Sequence, residues 1–350
     1  MVGRAWVRTG HWLVGMASGL IVLIVGLTGC VWAFEEEIRY VTQRDELFVR
    51  PQAGPRAPVS RLLTAINRAE PATTVSQIRL FADRARAVQA FTADKRMLTL
   101  NPYTGRLIAR RDLDTDWLLV NLKLHRTLLL GDVGKTIIYW NTWLLVALLL
   151  SGLVLWWPAR WRQWRASLRV KWRAKPAKRT YDMHSVLGFY ALPFLLLSAA
   201  TGLELASHGK DKKAGPPTVY QQLRDPLVLN RAVSAAVRTE AVESVRVNLP
   251  KDSLNPLRVV VLYPTSGLRR ESTFTFNPAT GRLLAAKRYE AMPLSARFWR
   301  SAYELHTGRI VGVFGKGLAF VLGLIAASLP VTGFLIWWGR RRKKSVRQPA

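Results

Sequence analysis

Imidazole is the side chain in this sequence best suited to chemistry, and four of its five histidines sit at matching points of an internal repeat. His125 precedes Gly131, Gly134, Lys135 and the pair Trp156-Trp157. His306 precedes Gly312, Gly315, Lys316 and Trp337-Trp338, with each match offset by 181 residues. His11 leads to Gly15 and Thr28-Gly29, and His184 leads to Gly188 and Thr201-Gly202, at an offset of 173. Several motifs at one offset mark a duplication. Two related imidazoles brought face to face can ligate one metal centre from both sides. The question is which elements could bring them together.

Four apolar runs supply those elements. Trp12–Phe34, Thr136–Trp157, Val186–Leu203 and Gly317–Trp338 contain no Asp, Glu, Lys or Arg. Each is about long enough to cross a hydrocarbon core of roughly 30 Å as a helix. The chain has 350 residues, 49% of them hydrophobic, and a formal charge of +30. In a soluble chain such a charge would point to nucleic acid. Here it has a topological reading. Nine Lys or Arg lie between Pro158 and the first acid of that loop, Asp182, and Arg340–Lys344 follow the last run. By the positive-inside rule both segments are cytoplasmic, and so are both termini. The expected partner of the charge is anionic lipid, not nucleic acid. The first run is too long for a signal peptide, and an uncleaved anchor is expected. Cys30, the one cysteine, excludes an internal disulfide and reads as a small apolar residue within a helix.

The polar segments between the runs repeat as well. Residues 58–70 have helical apolar spacing, followed by strand-like runs at 75–82, 86–93 and 97–111. A candidate helix at 226–238 precedes strand-like runs at 244–250, 257–264 and 272–289. Asn101-Pro-Tyr-Thr-Gly-Arg-Leu107 matches Asn277-Pro-Ala-Thr-Gly-Arg-Leu283 at an offset of 176, and each reads as a turn between strands. The fold class expected is an α-helical membrane protein, a four-helix bundle with a pseudo-two-fold tandem repeat and two small periplasmic α+β domains. Its segments are a first span (1–34), a first periplasmic domain (35–118), and an interfacial stretch with the second span (119–157). A basic cytoplasmic loop (158–183), the third span (184–205) and a second periplasmic domain (206–300) follow. An interfacial stretch with the fourth span (301–338) and a basic tail (339–350) complete the chain. Residues 210–217 read as a linker or exposed loop.

Topology then fixes depth. His11 and His184 belong near the cytoplasmic surface, His125 and His306 near the outer one. A parallel repeat would set each pair face to face. Two opposed imidazoles in a helix bundle suit haem b, because bis-imidazole ligation fills both axial positions and favours electron transfer. Two haem b groups are therefore expected, with His11 and His184 ligating one iron and His125 and His306 the other. Glycines 15, 29, 188 and 202 would make room for a flat ring. Arg126, Lys135, Arg300 and Lys316 are candidates to pair with its propionates. A single histidine beside a membrane helix is commonly just an interfacial polar group. Two matched pairs at opposite depths are not covered by that reading. His208, four residues after Glu204, has no histidine counterpart and reads as an end-of-helix residue. The Trp pairs suit an aromatic belt. Ser151-Gly152 and Thr332-Gly333 read as helix-packing residues. No nucleotide-binding or hydrolase motif occurs, and no protein side chain is expected to be catalytic.

His11-Trp-x-x-Gly15, the Asn-Pro-x-Thr-Gly-Arg-Leu turns, Leu124-His125 with its Gly-x-x-Gly, and Ser151-Gly-x-x-x-Trp-Trp-Pro158 together resemble the PepSY-associated transmembrane helix family. The resemblance extends over nearly the whole chain. One branch of that family comprises dihaem inner-membrane reductases of ferric siderophores, of the ferrioxamine type, with PepSY-like periplasmic domains. The resemblance implies electron flow through two haems to a periplasmic ferric siderophore, releasing Fe(II) for iron uptake. It also implies an unidentified cytoplasmic or membrane electron donor. Two alternatives stay open: a haem-bearing electron-transfer subunit for another redox partner, and a non-enzymatic PepSY membrane module that binds a protein.

Overall fold

The computed structural model describes residues 2–208, 227–237, 241–250, 255–265 and 267–345. The chain divides into two compact units. One contains Met1–Phe34, Val120–Asp211 and Ala302–Ala350; the other contains Glu35–Leu119 and Lys212–Ser301.

The first unit is built on four long helices, Val2–Ala33, Gly131–Trp156, Pro176–His208 and Gly312–Ser345. Among the described residues these four are long and apolar enough to cross a membrane. Most of the residues in their apolar windows are left uncovered, as lipid-facing helices require. The first helix packs against the second and fourth, and the third packs against the same two, so the bundle closes into a ring. Small residues bring the first and fourth helices close. A Cβ on Gly26 would stand 2.9 Å from the Gly323 carbonyl oxygen, and one on Gly323 would stand 2.6 Å from Cys30 Sγ. Cys30 is buried there, its thiol donating to the Phe320 carbonyl.

The helices are longer than the uncharged runs. His11 and His184 lie inside their helices rather than at the first turn. Charged residues such as Arg4, Arg8, Lys178 and Arg340 continue the helices beyond the apolar window, because their long stems follow apolar surface while the heads reach water. The third helix begins at Pro176, whose fixed φ suits a first helical position.

The second unit contains one antiparallel sheet of eight strands. They are β1 (Val75–Phe81), β2 (Val88–Thr92), β3 (Arg96–Leu100), β4 (Leu107–Asp112), β5 (Ser244–Asn248), β6 (Leu257–Leu262), β7 (Glu271–Phe276) and β8 (Leu283–Lys287). The order is β4-β3-β2-β1-β5-β6-β7-β8. The two polar segments, expected as separate domains, thus share a single sheet through the β1–β5 ladder, in which Ile78 stands opposite Val247. They also share one core. Leu62 and Ile66 of helix Val59–Ala69 and Leu229 and Ala232 of helix Leu227–Ala236 cover one face, over Ile78, Leu98, Val247, Val259 and Phe274. Alternation of side chains along each strand sends the other residues to the opposite face.

Both repeated turns are held by an asparagine. Asn101 Oδ1 accepts from the backbone N–H of Tyr103 (2.9 Å) and Thr104 (3.2 Å), and Asn277 Oδ1 accepts from Ala279 (2.9 Å) and Thr280 (3.0 Å). Gly105 and Gly281 then adopt φ of +75° and +69°, which favours glycine. The expected linker at 210–217, and Pro226 and Arg238 at the ends of the expected helix, lie outside the described residues.

Candidate functional site

Each histidine of the two pairs is seated in the same way. Its Nδ1 meets the hydroxyl of a Ser-Gly or Thr-Gly dipeptide on a neighbouring long helix, and its ring lies against the glycine. His11 Nδ1 is 2.8 Å from Ser151 Oγ, and a Cβ on Gly152 would be 3.5 Å from His11 Cε1. His184 meets Thr332 at 2.9 Å and Gly333 at 3.4 Å in the same sense. His125 meets Thr28 at 3.1 Å and Gly29 at 3.2 Å. His306 meets Thr201 at 3.0 Å and Gly202 at 3.3 Å.

This geometry settles which nitrogen is available. A hydroxyl has one proton. Each of the four gives it to the carbonyl four residues earlier, at 2.7 Å for Ser151, 2.7 Å for Thr28, 2.8 Å for Thr201 and 2.9 Å for Thr332. The hydroxyl is therefore left to accept, and Nδ1 must carry the N–H that donates to it. His125 and His306 are constrained a second time. Their Nδ1 atoms lie 3.0 Å from the Val25 and Ser198 carbonyl oxygens, which can only accept. A neutral imidazole protonated at Nδ1 presents a bare lone pair at Nε2. That is the tautomer that binds a metal, with the other nitrogen held by an outer partner.

The rings then pair across the bundle. His11 and His184 have centroids 6.4 Å apart and planes at 89°. For His125 and His306 the values are 6.1 Å and 74°. Two imidazole nitrogens each about 2.0–2.1 Å from a shared metal, with ring centres roughly 1.1 Å further back, would put the centroids about 6.3 Å apart. Both pairs have that spacing. Along the first helix, 17 residues separate His11 from Thr28, the seat of His125. At 1.5 Å per residue the two pairs are roughly 25 Å apart along the bundle axis.

Local structure explains how His125 and His306 reach their places. His125 lies on a short helix, Trp117–Thr127, and His306 ends another, Ala302–His306. Each is followed by a tight reversal into a long helix. A Cβ on Gly134 would fall 1.6 Å from the Thr127 carbonyl oxygen, and one on Gly315 would fall 2.0 Å from that of Gly308. The second glycine of each Gly-x-x-Gly is thus the point where the histidine-bearing segment rests directly on the helix start.

The four candidate cations are placed unequally. Arg126 is exposed and Lys135 half-buried, whereas Lys316 is buried. Arg300 belongs to the second unit, where its guanidinium faces Glu271 at 3.7 Å. His208 ends the third helix, and its side chain lies outside the described residues. Among the described residues no cluster of three or more His, Cys, Asp or Glu side chains could hold a metal. Each pair offers two protein ligands, so a metal there needs its remaining positions filled by a group it brings with it. The hydroxyl seats were not singled out as functional from the sequence. A partial signal was present: the second, third and fourth long helices carry one Ser-Gly or Thr-Gly dipeptide each, but the first carries three, Thr9-Gly10, Ser18-Gly19 and Thr28-Gly29, of which only the last is a seat.

Four membrane-length helices enclosing two imidazole pairs, in a chain that also forms an eight-stranded sheet, define a membrane protein with facing histidines inside its helical unit. The chain belongs to the PepSY-associated TM region family, which matches residues 8–340. Comparison with curated proteins gave no match.

Proposed function

We propose that the chain is a dihaem membrane oxidoreductase that reduces a ferric siderophore outside the cytoplasm. The observation that carries this reading is the pair of opposed, Nδ1-seated imidazoles at each end of the bundle, spaced as two axial ligands would be. The residues fit a flat macrocycle. A glycine lies against each imidazole, its would-be Cβ 3.2–3.5 Å from the ring, and two protein ligands would suit a group that fills the metal's remaining positions itself.

In this reading His11 and His184 would hold one haem b near the cytoplasmic surface, and His125 and His306 would hold the other near the outer surface. When bound, the haems supply one-electron chemistry. The chain's own contribution is positional. The Ser and Thr hydroxyls hold Nδ1–H and so leave Nε2 as the ligating nitrogen, and the first and fourth helices pack closely beside the rings. Arg126, Lys135 and Lys316 supply positive charge toward the outer haem, and the basic loop and tail hold the termini in the cytoplasm. One electron from an external donor, such as a flavoprotein, converts Fe(III) of the chelate to Fe(II). The softer ion is held less tightly by hard oxygen donors and is released. The two halves of the chain, related by the repeat, act as a pseudo-two-fold pair with PepSY-like domains in the periplasm.

The test is the absorption spectrum of detergent-purified protein, oxidised and reduced, with a haem count. Two low-spin b-type haems are expected, and reduced protein should be reoxidised by a ferric siderophore. His125→Ala should lose the outer haem and keep the inner. Two haems without reoxidation would favour an electron-transfer subunit for another partner. A folded, colourless protein would favour a non-enzymatic membrane module.

A further inference from the structure

The second unit gathers five guanidinium groups on the sheet face opposite its core. Arg79 of β1 and Arg246 of β5 are direct cross-strand partners on that face, because Ile78 and Val247 beside them point into the core. Phe81 lies two residues beyond Arg79. Its ring has the Arg79 Cζ 4.7 Å from its centroid and the Arg86 Cζ at 4.3 Å. Arg86 also lies 5.0 Å from the Phe48 centroid and 5.1 Å from that of Tyr40. On the other side Arg246 and Arg269 reach one oxygen of Glu271, at 2.8 Å and 2.7 Å, and Arg300 stands 3.7 Å from the second oxygen.

Glu271 is shared by three guanidiniums, those of Arg246, Arg269 and Arg300. Burial, then the nearby charges of Arg246, Arg86 and Arg269, pull Arg79 down to about 10. An arginine keeps its proton at any ordinary pH, so this crowding is a repulsion the fold must carry. Two donors have nothing to give to: the Nε–H groups of Arg79 and Arg86 are buried without an acceptor. Planar guanidiniums are suited to hydrogen-bond carboxylate and phosphate oxygens in pairs. Cation–π contact with Phe81 holds the two arginines beside one another.

We infer that Arg79, Arg86 and Arg246, framed by Phe81 and Glu271, form a binding site for a multivalent oxyanion, either a polycarboxylate or a phosphate. The ligand fills the unanswered donors and relieves the repulsion. Nothing in this inference rests on the haem reading, and haem-free protein serves equally for its test. A phosphate could come from a free anion or from a lipid headgroup, and the two sources are separable by experiment.

The experiment uses the full chain in a neutral detergent, stripped of lipid, with its thermal midpoint measured in citrate, in inorganic phosphate and in chloride at equal ionic strength. Citrate or phosphate should raise the midpoint with a saturable dose, and chloride should not. Arg79→Gln and Arg86→Gln should each weaken the apparent affinity about tenfold. Arg110→Gln, at the sheet edge, should leave it unchanged. Without anion, Arg79→Gln should melt at or above the wild-type midpoint, because it removes a crowded charge. In phosphatidylglycerol nanodiscs, a headgroup ligand would appear as tightly retained phospholipid that both site variants lose, and it would identify the source as lipid. The inference is overturned if neither free anion nor retained lipid depends on Arg79 and Arg86. It is also overturned if all three variants respond alike, or if both site variants melt well below wild type in the absence of anion.

Discussion

Ser151→Ala tests the hydroxyl seats most directly. Ser151 Oγ accepts from His11 Nδ1 at 2.8 Å, and alanine removes that acceptor with little change of shape. A buried donor left unsatisfied costs about 1–3 kcal/mol, or roughly 5- to 150-fold in an equilibrium constant. Loss of an outer partner of a metal-bound histidine falls in the same range, about 10- to 100-fold. Thr28→Val at the other pair should do less, because His125 Nδ1 keeps the Val25 carbonyl at 3.0 Å. The glycines give a second, steric series. A Cβ at Gly29 would come to 3.2 Å from His125 Cε1, inside ordinary contact, whereas at Gly152 it would stand 3.5 Å from His11 Cε1. Gly29→Ala should therefore disturb its site more than Gly152→Ala, reversing the order of the hydroxyl series. The assay is the haem-to-protein ratio and reduced-minus-oxidised spectrum of each purified variant, with a redox titration resolving the two centres. Wild-type occupancy and potentials in both Ser151→Ala and Thr28→Val would refute the claim that Nδ1 seating selects Nε2 as ligand.

Other outcomes follow from the same geometry. Asp116 is buried between Arg39 (2.9 Å) and Arg111 (3.1 Å), and Asp116→Asn should destabilise the sheet unit by about 3 kcal/mol in a denaturant melt. Burial alone would raise the Asp116 carboxyl, but its hydrogen bonds from Arg39 and the Leu119 backbone outweigh that and hold it below the usual range. A depressed folded value means the pair's stability is complete above the unfolded value of about 3.9 and is lost as pH falls through the folded one. Melting of this unit should thus hardly change from neutral pH to about 4 through this group, then fall; a decline centred near pH 6 would point to another group. Asn141 is buried within the second long helix with its Oδ1 unpartnered, and Leu322 stands at the repeat-equivalent position. Asn141→Leu should raise thermal stability by about 1 kcal/mol or more, and a loss would mean the amide has an unseen partner.

Some of this was legible in the sequence for physical reasons. A span betrays itself by lacking charge, and a half-buried strand by alternation, so the helices and nearly all the strands fall where expected. Helix ends were not legible. Lys178 was expected in the basic loop, 158–183, but the third helix already begins at Pro176, because composition marks the membrane and not the hydrogen-bond ladder. The single sheet was hidden as well. Alternation tells which face of β1 is buried but not that β5, far away in the chain, is its neighbour. Histidine pairing could be read because His11 and His184, and His125 and His306, stand at matching positions of recurring sequence motifs. Their seats could not, since Ser-Gly and Thr-Gly in a membrane helix usually serve packing. Their second use depends on which neighbouring helix turns a histidine toward them.

The pattern of seating separates two tasks within the bundle. His11 of the first helix is held by Ser151 of the second, and His125, just before the second, is held by Thr28 of the first. The third and fourth helices repeat this with His184 on Thr332 and His306 on Thr201. Each half therefore orients its own two imidazoles without help from the other. The halves meet across the ring pairs, where Leu149 of the second helix packs on Ala191 and Leu195 of the third, and where Gly26 and Gly323 let the first and fourth helices touch. A group ligated by both rings cross-links the halves at both ends, and saturating it at about 1,000 times Kd would add about 4 kcal/mol per site. Gly323→Ala puts a methyl 2.6 Å from Cys30 Sγ and pushes the halves apart while leaving every seat intact. It should weaken loading at both sites together, whereas Ser151→Ala weakens one. A Gly323→Ala protein that loses only one haem would show that the sites are held by something other than the approach of the two halves.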